Sequence, residues 1–535
     1  MTEPRNVPFY LAGRWTASNV LRDDVNPYTE EVIARVYQAD FEHVQTAIRS
    51  AETAFEIWQD VACEERAKFL EAALEAVYAN RNEIAHLISS EQGKPITEAL
   101  TLEVIPSLDL LEYYAVKAPV YLCPEKVPYH QPHFNSKESR VFFVPLGTTA
   151  ITTPSFAPWI LPMATTALAL LSGNAVILKP STKTQLCGLK IAEIFDSVGL
   201  PEGLLTVITG DDKLADRMIA QPLQSVVYVG DRDGAQRFLD ASNVNFKKAI
   251  ISCGSKCPLV VFDDANLSAS AVGAAWGAFS NAGQSHGNTS LLFVQHSVAD
   301  QFKKLLIQRL EALRYGDPTS PETELGPVID CEHFEHMNML VSSAVAQGAS
   351  ILYRKDPPAG PSTSFYPLTL LDGVTNSMEF FTDPAAGPVA GIMEFQTDQE
   401  LIELVNSLPF GLSASLWSGN GERVGAISRK IHFANIWVND VMFPFEASNA
   451  PWGATRQSGN GQLASPYGLL EYVYLKHVGF DSKDGSSKDY YFPYGEELGD
   501  HMEQVLERLS SSNLLTRFLR RLRVKESPRA GKGLE

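Results

Sequence analysis

The chain has 535 residues, a formal net charge of −19 and six cysteines. It is too long for one hydrophobic core, so two or three domains are expected. The acidic balance excludes nonspecific binding of nucleic acid. The sparse cysteines exclude a disulfide scaffold, and no apolar run reaches the roughly 18 residues needed to span a bilayer.

Cys253 and Cys257 lack the accompanying Cys/His set of a zinc site, so no metal is expected. The opening stretch "MTEPRNVPFYLAGRW" has no basic region followed by an apolar one. A cytoplasmic, reduced protein is the expectation.

Residues 40–118 read as helices. Val44, Ile48, Ala51, Phe55 and Trp58 share one face at helical spacing. The pattern continues to Gly93, a C-cap. From residue 141 short apolar runs alternate with helical stretches at 160–171, 184–197 and 212–220. The runs "RVFFVPLG", "AVILKP", "LLTVITG", "SVVYVG", "PLVVFDD" and "TSLLFV" are apolar throughout. Parallel strands covered on both faces have that composition. A doubly wound α/β sheet follows, with ligands expected at the carboxyl ends of its strands.

A second α/β unit is expected from about residue 268 to 460, with strands at "GPVAGIMEF", "SASLWS" and "ANIWVND". A helix over 298–314 lies between the strands of the two units. After residue 480 comes the polar linker "SKDGSSKD". Two apolar stripes follow. Leu498, Met502, Val505, Leu506 and Leu509 form the first. Leu515, Phe518, Leu519 and Leu522 form the second, flanked by Arg517, Arg520, Arg521, Arg523 and Lys525. The bland reading is an amphipathic helix packed on its own body or on a sister subunit. The sharper one is docking to a protein partner or an anionic surface.

Nine landmarks occur in order: "GTTAITTPSFAPWILPM", "ALLSGNAVILKPS", "GLPEGLLTVITG", "CGSKCPLVVFDDANL", "NAGQSHGNTSLLFV", "GPVAGIMEF", "LPFGLSASLWS", "IWVND" and "NAPWGATRQSGNGQ". Over roughly residues 8–480 the chain resembles the aldehyde dehydrogenase superfamily. The resemblance implies an aldehyde-dehydrogenase-like α/β fold, with two doubly wound Rossmann-like domains plus a β oligomerisation arm. Residues 1–125 and 147–250 would form the nucleotide-binding-type domain and 251–460 the former catalytic domain. Residues 126–146 and 461–480 would form the arm, and 481–535 a C-terminal extension. A homo-oligomer, at least a dimer, follows from the exchange of such arms.

In that family a cysteine thiolate attacks an aldehyde and a glutamate activates water. An asparagine amide helps to stabilise the oxyanion. The family's F-x-N-x-G-Q-x-C resembles Phe279–His286, so His286 stands at the thiol position. Its E-L-G-G-K-x-P resembles Ser252–Pro258, with Ser252 at the carboxylate position and Lys256 retained. Its P-W-N-F-P resembles Pro154–Pro158, with Phe156 at the amide position. Phe156, Trp159, Phe279, Asn281 and Ser285 are expected to line the oxyanion site and substrate funnel.

For the cofactor, "LKPS" retains Lys179 and Ser181, with Thr182 next. The phosphate turn G-S-T-x-x-G resembles Gly230–Ala235, with Asp231 in place of the hydroxyl. A carboxylate at that helix N-terminus repels diphosphate, or else caps the helix and points away. Pro384 and Ala386 stand where the family holds the nicotinamide ribose. The resulting expectation is that NAD(P) binding and aldehyde oxidation are lost and that no cofactor is used. The cavity would serve non-redox catalysis on a small, apolar molecule, with His286 as acid/base and Ser252 beside it. Two alternatives stay open. One is a non-catalytic pseudoenzyme acting as a binding or scaffold protein. The other is an NAD(P)-dependent aldehyde dehydrogenase with an atypical nucleophile such as Cys253.

Overall fold

Alternate residues of the strand Pro258–Val261 feed two different cores, which explains its uninterrupted apolar sequence. Val260 packs with Phe293 and Phe395, whereas Leu259 and Val261 pack with Leu292, Val294 and Phe302. A strand with both faces covered has no face left for polar side chains. The computed structural model describes residues 4–129, 137–244, 246–360, 362–384, 386–441, 447–481, 491–492 and 494–510.

Two large mixed sheets result. The first has eight strands, and its central five are parallel: Leu205–Val207, Ala175–Lys179, Thr148–Thr152, Ser225–Gly230 and Lys248–Cys253 in spatial order. The chain therefore starts in the middle, at Thr148–Thr152, winds out one way and then returns to wind out the other. Antiparallel strands Phe9–Leu11 and Gly459–Asn460 extend the two sides. The second sheet has seven strands in the order Ser350–Lys355, Leu368–Asp372, Val389–Phe395, Leu291–Gln295, Pro258–Val261, Ser413–Trp417 and Asn435–Val438. All its pairings are parallel except the one with Ser350–Lys355.

Helices cover the sheets as the periodicity predicts. Helix Phe41–Trp58 buries Val44, Ala47, Ile48, Ala51 and Trp58. Asp40 caps it, accepting from the backbone N–H of Glu42 and His43. Helix Cys63–Gln92 ends at Gly93, whose φ of 82° is a left-handed cap that an L side chain would strain. Beyond it the backbone widens. Ile96–Glu98 is helical, and Ala99–Val104 is one π-turn before helix Ile105–Tyr121.

By contact density the chain divides into two compact units, Met1–Tyr121 with Pro145–Val473 and Leu122–Val144 with Tyr474–Glu535. The second contains most of a three-stranded sheet of Val473–Asp481, Lys137–Pro145 and Glu125–Lys126. It also contains helix Glu496–Ser510, on which Met502 and Leu506 are exposed. The second apolar stripe, Leu515 to Leu522, and its flanking arginines lie outside the described residues. Among the described residues no helix is long and apolar enough to cross a membrane.

Candidate active site

Strands Thr148–Thr152 and Ser225–Gly230 are parallel neighbours, with Tyr228 opposite Thr152. They flank the point where the winding reverses. Backbone loops leaving such strands diverge and open a crevice at their carboxyl ends. The first strand runs into the loop carrying Phe156, and the second into Asp231.

His286 sits between these two loops. Its ring centroid lies 4.2 Å from that of Phe156, and Nε2 is 3.0 Å from the carbonyl oxygen of Gly230. A carbonyl only accepts, so Nε2 carries the proton and Nδ1 the bare lone pair. Burial pushes the imidazole down to about 4, so it is neutral at pH 7. Ser252, the fifth residue of strand Lys248–Cys253, pairs with Val229 on one side and Gly459 on the other and is buried.

The turn that presents His286 is unusual. Asn281 and Ala282 have φ of 52° and 50°, and Gly283 has 71°. A Cβ on Gly283 would come within 2.0 Å of the Gly387 carbonyl oxygen. Position 283 therefore needs glycine for both conformation and space. Gly283→Ala is expected to destabilise the protein by about 2 kcal/mol or more, read as a lowered denaturant midpoint at unchanged slope.

A cavity of about 30 Å³, room for one or two waters, lies beside the turn. Phe156, Asn281 and Ser285 line it. Trp159 and Phe279 do not. Trp159 is fully buried, with its indole N–H donating to the Ser107 hydroxyl at 3.0 Å. Phe279 belongs to the core under the second sheet. Their aromatic character reflects packing, not a ligand. Asn281 spends its side-chain N–H groups on the carbonyls of Phe156, at 3.2 Å, and Gln284, at 3.0 Å.

Sequence reasoning missed three residues here: Lys94, Glu98 and Glu103. Lys94 and Glu103 line the same cavity and form a buried ion pair. The signal was present in "GKPITEALTLE", where a lysine and two glutamates punctuate an apolar-rich stretch. It was hidden because a regular helix does not align positions 98 and 103.

Neither nearby thiol is poised to attack. The Cys253 thiol donates to the Gln457 carbonyl at 3.0 Å, and burial pushes it up to about 11. The Cys257 thiol reaches the backbone carbonyl of His286 at 3.6 Å and is likewise pushed up to about 11. Cys253 is thus a packed small side chain, not a displaced nucleophile. Lys256 is buried with Nζ 4.0 Å from the Phe380 ring centroid and is pushed down to about 7.

On the cofactor side, Lys179 ends strand Ala175–Lys179, buried, with Nζ 3.6 Å from Asp212. Burial lowers its ammonium below the ordinary lysine range, with Asp212 opposing. The Ser181 hydroxyl accepts from the Lys183 N–H at 3.2 Å. Asp231 is indeed a cap: it accepts from Gly234 N–H at 2.7 Å and from the Tyr228 hydroxyl at 3.0 Å. Asp211 caps the helix Asp212–Ile219 in the same way, accepting from Leu214 N–H at 3.0 Å.

The profile of the Aldehyde dehydrogenase family matches residues 15–478. The chain is 30% identical to aminoaldehyde dehydrogenase 2, peroxisomal, of Pisum sativum, covering 88% of this chain and 94% of that one. It is 31% identical to betaine aldehyde dehydrogenase of Rhizobium etli, covering 85% and 93%. A crystal structure of a betaine aldehyde dehydrogenase point mutant from Staphylococcus aureus, in complex with NAD+, superposes with a TM-score of 0.85 at 28% identity. It covers 91% of this chain and 98% of that one.

These relatives overturn four expectations: lost NAD(P)-dependent oxidation, no cofactor, a pseudoenzyme, and non-redox chemistry with His286 as acid/base. They carry dehydrogenase names and one holds NAD+. The physical reason lies in the reading of three changed side chains as one dismantled centre. A neutral imidazole held by one nitrogen keeps a lone pair on the other, and Lys179 is retained at the end of its strand. The chain belongs to the aldehyde dehydrogenase family.

Proposed function

We propose that the protein is an NAD(P)-dependent aldehyde dehydrogenase in which His286, not a thiol, is the group that attacks the carbonyl. The observation that carries this is the tethered imidazole: Nε2–H is held by the Gly230 carbonyl, which leaves the lone pair on Nδ1, and the ring is neutral at pH 7. The named activities of its relatives favour an aldehyde bearing an amine or quaternary ammonium.

The residues present fit the dinucleotide at its adenosine ribose, where Lys179 and Ser181 would hold it. At the diphosphate, Asp231 occupies the helix N-terminus as an exposed cap, so an anion there would have to compete with it for the same N–H groups. When bound, the nicotinamide supplies the hydride acceptor. In the rest of the reaction His286 Nδ1 adds to the aldehyde carbon, and the Gly230 carbonyl stabilises the positive charge that develops on the ring. The acyl group is finally carried on imidazole, a good leaving group, and water removes it without the carboxylate that position 252 lacks. Ser252 supplies a hydroxyl at that position. All six cysteines are unpaired, which supports a reducing, cytoplasmic setting. The strands Lys137–Pro145 and Val473–Asp481 are the proposed oligomerisation arm.

Calorimetric titration of the full chain with NAD+ and with NADP+ tests the reading. Saturable binding of at least one is expected, weakened by Lys179→Met. Silence with both overturns the proposal.

A further inference from the structure

The Phe156 carbonyl accepts two hydrogen bonds from different parts of the chain. Lys94 Nζ donates at 2.9 Å and Asn281 Nδ2 at 3.2 Å. From the same ion pair, Glu103 Oε2 accepts the backbone N–H groups of Trp159, at 2.8 Å, and Ile160, at 3.2 Å. Glu98 Oε2 accepts Asn281 N–H at 2.6 Å, at the first left-handed residue of the His286 turn. Two loops from different halves of the sequence thus share one ionic anchor.

The backbone between the two carboxylates is irregular. Ala99–Val104 is a π-turn, with Ile105 N–H bonded to the Leu100 carbonyl five residues earlier. The link between the two carboxylates is Lys94, which pairs with Glu103 and whose positive charge acts on Glu98. Single π-turns are rare and concentrate at functional sites.

We propose that Lys94, Glu98 and Glu103 are positioning residues that clamp the Phe156 loop to the Asn281–His286 turn, and that the proton on Glu98 sets how tightly the turn is held. With Glu98 protonated the cluster is neutral. With Glu98 ionised it carries one net negative charge, and the hydrogen bond to Asn281 N–H becomes charge-assisted and stronger. Burial pushes Glu98 up to about 7, with Lys94 opposing and Glu324 adding to the rise. Glu324 is itself paired with Arg314. The clamp therefore tightens as pH rises through neutrality. His286, neutral throughout that window, contributes no limb to a pH profile there. Lys256 titrates in the same range, so a variant and not the profile alone assigns the limb.

The inference rests on the dehydrogenase reading for its consequence in turnover, but its first test does not need turnover. Hydrogen exchange of residues 279–286 is followed in the full chain at about pH 6 and about pH 8, corrected for intrinsic exchange. Roughly tenfold greater protection is expected at the higher pH, and Glu98→Gln removes the difference while keeping the shape. Glu98→Asp restores part of it. The same limb is expected in kcat, not KM, of the wild type, and its loss in Glu98→Gln. Equal protection at both pH values in the wild type, or an unchanged difference in Glu98→Gln, overturns the clamp. A pH-dependent turn without any NADH formation leaves the clamp standing and overturns the proposed activity instead.

Discussion

His286→Ala is expected to lower NADH formation by roughly 10³-fold, with the fold and dinucleotide affinity retained. The ring contributes a contact to Phe156 and one hydrogen bond to the Gly230 carbonyl. A carbonyl has other lone pairs and tolerates that loss better than a buried donor would. The chemical loss is larger. In the alanine variant the neighbouring thiols, both pushed up to about 11, present no thiolate at neutral pH. Installing the thiol, His286→Cys, gives a different signature. A thiolate attacks readily, but Ser252 offers no carboxylate to activate water against the thioester. A burst of one NADH per site followed by arrest is expected in stopped-flow absorbance. Sustained turnover of the cysteine variant, or full activity of the alanine variant, contradicts the assignment of His286.

Asp231→Asn is expected to tighten NAD+ binding by roughly fivefold, measured by calorimetry. The carboxylate sits at the N-terminus of helix Arg232–Val244, accepting Gly234 N–H at 2.7 Å. An anion from the ligand would compete for the same N–H groups. Two like charges about 4 Å apart repel by about 4 kcal/mol at an effective dielectric near 20. Asp231 is exposed, so screening reduces this to about 1 kcal/mol. Asparagine caps a helix as well as aspartate does, so stability should hardly change. An affinity that is unchanged or weakened would show that the carboxylate does not face the diphosphate.

Much of the architecture was legible because it rests on patterns that tolerate no alternative. Runs such as "PLVV" and "LLFV" must be covered on both faces, and their alternation between two cores bears that out. Gly93 reads as a C-cap and is one, with φ of 82°. The site was less legible, for two reasons. Aromatic residues near a motif look alike whether they face a ligand or a core, and only coordinates separate Phe156 from Trp159 and Phe279. The clamp of Lys94, Glu98 and Glu103 spans a π-turn, and the spacing of five between its carboxylates matches neither helix nor strand periodicity. At position 286 the resemblance sets an imidazole where the family has sulfur. The sequence does not show which ring nitrogen is tied down; in the structure it is Nε2, bonded to the Gly230 carbonyl.

The most direct measurement is NADH or NADPH formation by the purified full chain supplied with oxidised cofactor and betaine aldehyde or an aminoaldehyde. Linear production over many turnovers, abolished by His286→Ala, is the expected result. No reduced cofactor from either aldehyde class, with the protein folded and saturated with dinucleotide, would contradict it.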